Sequence, residues 1–392
     1  MEPMRRVALT LLLGVSAGCH DQSMAPKVGQ PTARPSFSTS STSASATCPA
    51  SATVTVSDDA GLRAALAAAR PGDVIAVSGM IGITTDDTIA TDRVTLTCAT
   101  PGSGLFAVGP EVVGDLLAVV AKQVTIDRLV LDASGAFNTA IDAFNDGLTA
   151  FAQDDQFTNN TITCGPDSVC ILVSGARRTL IANNQAAASG SFSGLHLQGG
   201  GGPRRVDESQ IEGNTVVATT PSTGFGGIRV RDGTGVRVTG NTVLGPWANS
   251  LAPTDVASSV VAFNRLEGAT FSGIRMSLNA GGLLMTDDVF QNNQVTPTSD
   301  AFAGVFATLA CRNKFVWNIF QGSNGIGIFF NTTTGANVVV GNQTIIVDNG
   351  AFDCNGDGVN DPNIITGTVL HGMRPDETVS GVVRTIHGIT IQ

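Results

Sequence analysis

The sequence predicts an all-β solenoid, short strands wound into stacked coils and closed at the N-terminal end by one short helix. Two observations carry this expectation: an Asn that returns at a nearly fixed interval, and apolar residues that alternate with polar ones around it. The recurring residues are Asn160, Asn184, Asn214, Asn241, Asn264, Asn293, Asn318 and Asn342, at intervals of 24, 30, 27, 23, 29, 25 and 24 residues. A period of that length marks units that bury their apolar faces only by stacking on their neighbours. A propeller would show a period of about 40 residues and a sandwich would show Asn-Gly hairpin turns, so neither fits.

Composition agrees with one long turn-rich unit rather than several domains, because the 392 residues include 46 Gly and only 5% aromatics. The formal charge is −10 with 14% charged residues, which excludes a nucleic-acid binder driven by net charge. Within the unit Gly227 to Val243, period-two alternation means strands, with Ile228, Val230, Val236, Val238 and Val243 pointing inward. Arg229, Arg231 and Arg237 then point out. Asn tolerates a left-handed turn, and identical amides stacked in successive coils can hydrogen-bond as a ladder.

These residues resemble the right-handed parallel β-helix repeat of pectate-lyase-like proteins, over about residues 50 to 350. The resemblance implies that fold. It begins with a strand near Val54, a helix capped by Ser57 or Asp58, a stop at Pro71-Gly72 and a second strand at Val74. The expected organisation is a signal peptide over 1–18, a Ser/Thr-rich tether over 19–47, the β-helix over 48–350 and a C-terminal calcium-loop-like segment and cap over 351–392.

The basic start, the apolar run Val7 to Val15 and the small-residue end Ser16-Ala17-Gly18-Cys19 read as a secretory signal. Its ending resembles a bacterial lipoprotein box, which implies a lipid on Cys19, and His20 after it implies the outer membrane. Ordinary cleavage and secretion is the alternative. Setting Cys19 aside leaves six cysteines that can pair completely, and proximity along the chain favours Cys48 with Cys98, Cys164 with Cys170 and Cys311 with Cys354.

Counting back from each Asn gives one outward column: Asp142, Leu172, His196, Arg229, Ala252, Arg275, Phe306 and Phe329. A second column two residues on contains Ser174, Gln198, Arg231 and Thr254. In an acidic chain, His196, Arg229, Arg231 and Arg275 form a local cationic patch that could hold a sugar carboxylate or sulfate, with Phe306 and Phe329 as apolar faces beside it. The other reading is that these arginines cover the strands with their stems and pair with Asp232 or Asp207. β-Elimination would need a base and a cation facing the carboxylate, for which His196 or Arg229 and Arg275 are the candidate catalytic residues.

No catalytic residue is carried over from the resembled superfamily. Asp287-Asp288 stands without the Gly-His-Gly and Arg-x-Lys elements of its glycosidases, the repeat of the pair at Asp154-Asp155 suits a turn, and the Trp-Ile-Asp-His of pectate lyases is missing. The expected function is therefore a cell-surface protein that binds, and cleaves if it is an enzyme, an anionic polysaccharide. The alternative is a non-catalytic scaffold or adhesin. The expected partners are a polysaccharide and, through the lipid only, a membrane.

Asp353, Asn355, Asp357 and Asp361 occupy positions 1, 3, 5 and 9 of a loop with Gly358 at position 6, which is the spacing of a Ca²⁺ site. The loop resembles dockerin-like and thrombospondin type 3 calcium loops. Ile364 stands where an EF-hand has its bidentate Glu, so calcium and a plain Asx-rich turn both remain open.

Overall fold

The computed structural model describes residues 47–49, 51–108, 114–134, 139–144, 152–166, 168–189, 192–199, 206–222, 224–277, 284–321, 325–342 and 344–366. The expected signal peptide, Cys19, nearly all of the tether and residues 367–392 of the expected cap lie outside them.

Three sheets of 13, 15 and 10 strands run through the described residues, and their strands pair in parallel, each with its counterpart one coil away. Leu96, Ile126, Phe157, Ile181, Ile211, Val238, Val261, Phe290, Phe315 and Val339 succeed one another in register down the 13-stranded sheet. All ten are buried. Each such aliphatic side chain removed from water contributes on the order of 1.5–3 kcal/mol, and the Phe290 and Phe315 rings also stack at 5.0 Å.

At the first described coil the helix Asp59–Ala68 is capped by Asp58, whose carboxylate accepts from Gly61 N–H at 2.7 Å. Its Leu62 and Leu66, one turn apart, are the buried pair that packs it on the first strands. The coils continue past residue 350, because Ile364–Thr366 adds in parallel to Val338–Val340. The expected cysteine pairs are all formed, with Cα separations of 5.4 Å for Cys48–Cys98 and Cys164–Cys170 and 5.7 Å for Cys311–Cys354.

The turn chemistry differs from the sequence expectation in one respect. The left-handed residue is not the ladder Asn but the residue before it: Asn159, Asn183, Gly213, Gly240, Phe263, Asn292, Trp317 and Gly341 all have positive φ. That conformation swings the next side chain into the coil. Asn184 then accepts from Asn160 N–H at 3.0 Å and donates its own amide to Phe157 C=O at 2.8 Å and to Asn214 Oδ1 at 2.9 Å. The pattern repeats to Asn342.

A second ladder lies five residues earlier in each coil, again after a left-handed residue such as Asp154, Ser258, Asp287 or Arg312. It runs through Ser259, Asp288, Asn313, Asn337 and Asn363, and Asp155 holds the corresponding place upstream. The turn role expected for the Asp pairs is thus observed. Asp154 and Asp287 face solvent and pair with Arg178 and Arg312, while Asp155 and Asp288 are buried.

Asp288 is the misfit in this ladder. Its Oδ1 accepts from Ser259 N–H at 2.8 Å, but Oδ2 occupies the place of an amide donor and has no partner. Burial pushes its pKa up to about 8. The folded state therefore holds the proton more tightly than the unfolded chain, whose Asp titrates at about 4, so this group costs stability increasingly as pH rises from about 4 to about 8. Asp288→Asn supplies the missing donor. The expected gain, on the order of 1–3 kcal/mol at pH 8, should shrink toward pH 5; thermal melts showing the same gain at both pH values would contradict the assignment.

Candidate functional site

Among the described residues the 15-stranded sheet carries the outward column, and its register matches the count made from the sequence. Asp142 pairs with Leu172, Leu172 with His196, His196 with Arg229, Arg229 with Ala252, Arg275 with Phe306, and Phe306 with Phe329. Arg231 follows in the second column, between Gln198 and Thr254. The structure therefore brings His196, Arg229, Arg231 and Arg275 onto one face, with neighbouring coils about 4.8 Å apart.

Their environment is less open than the sequence suggested. His196 is 2% and Arg229 6% exposed, whereas Arg231, Arg275, Phe306 and Phe329 are half-buried. Burial, reinforced by the positive charges of Arg229 and Arg231, holds the His196 pKa down to about 3, so the imidazole is neutral at physiological pH. Burial and Arg231 also lower Arg229, to about 10. Arg231 lies 3.4 Å from Asp232, while Arg229 and Arg275 form no ion pair among the described residues. Pairing with acidic neighbours thus accounts for one of the three arginines.

Among the described residues, three nitrogens of this cluster, His196 Nε2 and the Nε atoms of Arg229 and Arg275, are buried with neither a hydrogen-bond nor an ion-pair partner, while Arg231 Nε has only its 3.4 Å approach to Asp232. Such atoms are rare in folded proteins. The Arg229 guanidinium carbon rests 3.8 Å from the Phe225 ring centroid and 5.8 Å from that of Phe192, and Arg275 lies 5.3 Å from Phe271. At these distances ring quadrupoles stabilise the cations without satisfying their N–H groups.

The aromatic ledge that holds them was not anticipated. Phe192, Phe225, Phe271 and Phe302 each stand four residues before a member of the outward column and are 37–46% exposed. Phe302 contacts Phe306 at 5.3 Å and Phe329 at 4.9 Å, making one aromatic cluster beyond Arg275. The signal was present in the sequence as a five-residue repeat: Phe192-Ser-Gly-Leu-His196, Phe225-Gly-Gly-Ile-Arg229, Phe271-Ser-Gly-Ile-Arg275 and Phe302-Ala-Gly-Val-Phe306. The central Gly is demanded by space. A Cβ on Gly227 would lie 2.4 Å from Val243 Cγ1, and one on Gly273 2.0 Å from Val295 Cγ1.

A second feature that the sequence reading passed over is a carboxyl pair toward the N-terminal end of the same sheet. Burial, together with the neighbouring Asp115 charge, pushes Asp142 up to about 7, and burial also raises Asp115. Asp142 is separated from His196 by the Leu172 coil, so the pair does not converge with the cationic cluster.

The calcium-loop residues Asp353, Asn355, Asp357 and Asp361 lie together in an exposed turn tied to the solenoid through Cys354. The Asp353 carboxylate accepts from Gly356 N–H at 2.6 Å and Gly358 N–H at 2.7 Å, which holds its pKa below the usual carboxylate range. Asp361 accepts from Cys354 N–H at 2.9 Å. Among the described residues no group of three or more His, Cys, Asp or Glu side chains is gathered closely enough to hold a metal, and no helix is long and apolar enough to cross a membrane.

A family profile described as a right handed beta helix region matches residues 146–366, more than half of the chain. The A-module of the Azotobacter vinelandii mannuronan C-5 epimerase AlgE4 is similar in structure at 15% identity, with a TM-score of 0.55 over 82% of this chain and 96% of that one. The DFA-IIIase of Arthrobacter chlorophenolicus A6 is similar at 16% identity, with a TM-score of 0.52 over 79% of this chain and 89% of that one. At such identities the likeness establishes the fold alone. No curated protein sequence matches the chain.

The packing under the ledge makes a direct prediction. Gly273→Val should lower stability by about 1–3 kcal/mol, the usual range for overpacking, whereas Thr298→Val on a nearby turn should cost far less. Equal denaturation midpoints for Gly273→Val and the parent protein would show that the strand can move away from Val295.

Proposed function

Because the chain belongs to the right-handed β-helix family, whose stacked coils turn outward side chains into straight columns, we propose that it is a carbohydrate-active protein that lays an anionic polysaccharide along the His196 to Arg275 face. The observation that carries this reading is the pair of buried guanidinium Nε atoms, on Arg229 and Arg275, that have neither a hydrogen-bond nor an ion-pair partner among the described residues. The carboxylates or sulfates of a glycan would supply their missing acceptors as charge-assisted hydrogen bonds. Phe rings exposed beside them offer flat apolar faces to the sugar. A mannuronan C-5 epimerase among the proteins of this fold supports a sugar polymer by analogy.

The chemistry best suited to this face is β-elimination. Neutral His196 takes the sugar C5 proton, the C5 electron pair forms the C4–C5 double bond, and the C4–oxygen bond breaks toward the leaving sugar, which takes a proton from water. Arg229, one coil away, faces the carboxylate on which charge develops, and Arg275 steadies the adjoining acidic group. His196 is assigned as base by position, one coil from Arg229 in the same column, and it is unprotonated at neutral pH. With a pKa of about 3 it is a weak base and acts on a C5 proton made acidic by Arg229 at the carboxylate. Arg229, lowered to about 10, is neutral in about one molecule per thousand at pH 7. At 2% exposure the imidazole serves only a sugar seated directly over it. Three disulfides suit an extracytoplasmic site, consistent with anchoring through a lipid on Cys19.

Retention on immobilised pectate, alginate and sulfated glycans tests the binding. Arg229→Ala should weaken it by about 1.5–3 kcal/mol, the worth of a hydrogen bond to a charged group, and retention by an uncharged glucan equal to that by the anionic polymers would sink the reading. For cleavage, the ultraviolet absorbance of the unsaturated product should vanish in His196→Gln while retention persists. Because the His196 pKa is lowered to about 3, the base stays neutral from pH 5 upward, and the rate should not fall with a midpoint near that of an ordinary His. Retention with no product from any glycan would leave a binding scaffold.

For the loop at Asp353 to Asp361 we propose a structural calcium ion, supported by the 1, 3, 5, 9 spacing and by exposure of the loop. Asp353 and Asp361 must turn from their present N–H partners to reach it. Calcium at a hundredfold excess over its Kd should then stabilise the fold by about 2.7 kcal/mol, a gain lost in Asp357→Ala. Identical melting in calcium and in chelator would make the loop a turn only.

A further inference from the structure

Between the Arg229 and Arg275 coils the five-residue repeat is broken. The intervening segment is Ala248-Asn-Ser-Leu-Ala252, so both outward positions that carry Phe and Arg on either side are reduced to methyl groups. Its register is unbroken, with Arg229 paired to Ala252 and Leu251 to Ile274. Asn249 instead ties the two flanking coils together, donating to Phe225 C=O at 2.9 Å and accepting from Ser272 Oγ at 2.8 Å. Ala252 is buried as the floor between the two arginines.

We propose that Phe225–Arg229 and Phe271–Arg275 are two matched clamps set two coils apart, and that they select glycans whose like-facing acidic groups recur at every second sugar. The inference rests on the anionic-polysaccharide reading and adds the spacing of charge that the face recognises. Two coils span about 10 Å, and a pyranose residue advances a chain by close to the rise of one coil. A chain laid along the column therefore presents its first and third sugars to Arg229 and Arg275, while the second passes over Ala252. The Arg229 guanidinium lies 3.8 Å from Phe225 and 5.8 Å from Phe192, that of Arg275 5.3 Å from Phe271, and each keeps an Nε without a partner among the described residues. The two clamps are alike in residue type and in what they lack. A sugar with no acidic group suits the middle coil, since nothing charged stands in its outward column there.

The test compares two tetrasaccharides by titration calorimetry on the full chain: one from hyaluronan, with an acid on alternate sugars, and the gellan repeat, with one acid among four. The hyaluronan tetrasaccharide should bind on the order of a hundredfold more tightly, because its second acid binds intramolecularly. Arg275→Ala and Arg229→Ala should each bring it down toward the gellan level, with a smaller loss on the gellan repeat, whose one acid engages only one clamp at a time, and a melting temperature close to that of the parent. Equal affinities for the two tetrasaccharides, or a loss in Arg275→Ala that is the same for both, would overturn the spacing rule while leaving anionic-glycan binding intact. Failure of every anionic glycan to bind would overturn both.

Discussion

Everything about this molecule depends on one constraint, the exact stacking of each coil on the last, and the two amide ladders enforce it. A left-handed residue turns the following side chain inward, where it must find partners away from water. In the Asn ladder it finds them on the adjacent coils: Asn241 accepts from Asn214 N–H at 3.0 Å and donates to Asn264 Oδ1 at 3.0 Å. A slip of one residue would strand these buried amides and turn the apolar column of Leu96 to Val339 toward solvent. Register is therefore fixed twice, by the polar ladder and by the core.

Once register is fixed, the outer face becomes a set of straight columns, and chemistry depends on which residue each coil contributes. Bulky aromatic and cationic groups accumulate on the 15-stranded sheet because the small residue between them clears the way. Gly194, Gly227, Gly273 and Gly304 each let the strand lie against a core side chain that a Cβ would strike. The ledge of exposed rings follows, and with it the shielding that leaves Arg229 6% exposed without an acidic partner. Burying a cation this way costs solvation. Among the described residues, the Nε atoms of Arg229 and Arg275 and His196 Nε2 are left on this face without a partner.

Charge changes sign along the same column. The Asp115–Asp142 pair lies upstream of Leu172, the His196 and Arg cluster occupies the middle, and Phe306 and Phe329 close the downstream stretch. The face therefore presents carboxyl, cationic and aromatic groups in succession. The same ladder that permits this contains its own weak point at Asp288, where a carboxyl stands in for an amide.

The sequence by itself determined the solenoid, the inward and outward assignment of Ile228, Arg229, Val230 and Arg231 and the column from Asp142 to Phe329, and it favoured by proximity the three disulfides that the structure forms. These follow from local periodicity and from intervals between like residues, which survive in one dimension. It placed the left-handed turn on the ladder Asn and not on the residue before it, because Asn suits both an inward amide and a positive φ and only the backbone separates the two. Tertiary structure alone decided that His196 is buried and neutral, that Arg229 and Arg275 rest against Phe225 and Phe271, and that the Asp115 charge raises Asp142. Each of these is a contact between coils or across a strand end, and its energy depends on burial and distance, quantities that residue spacing does not encode.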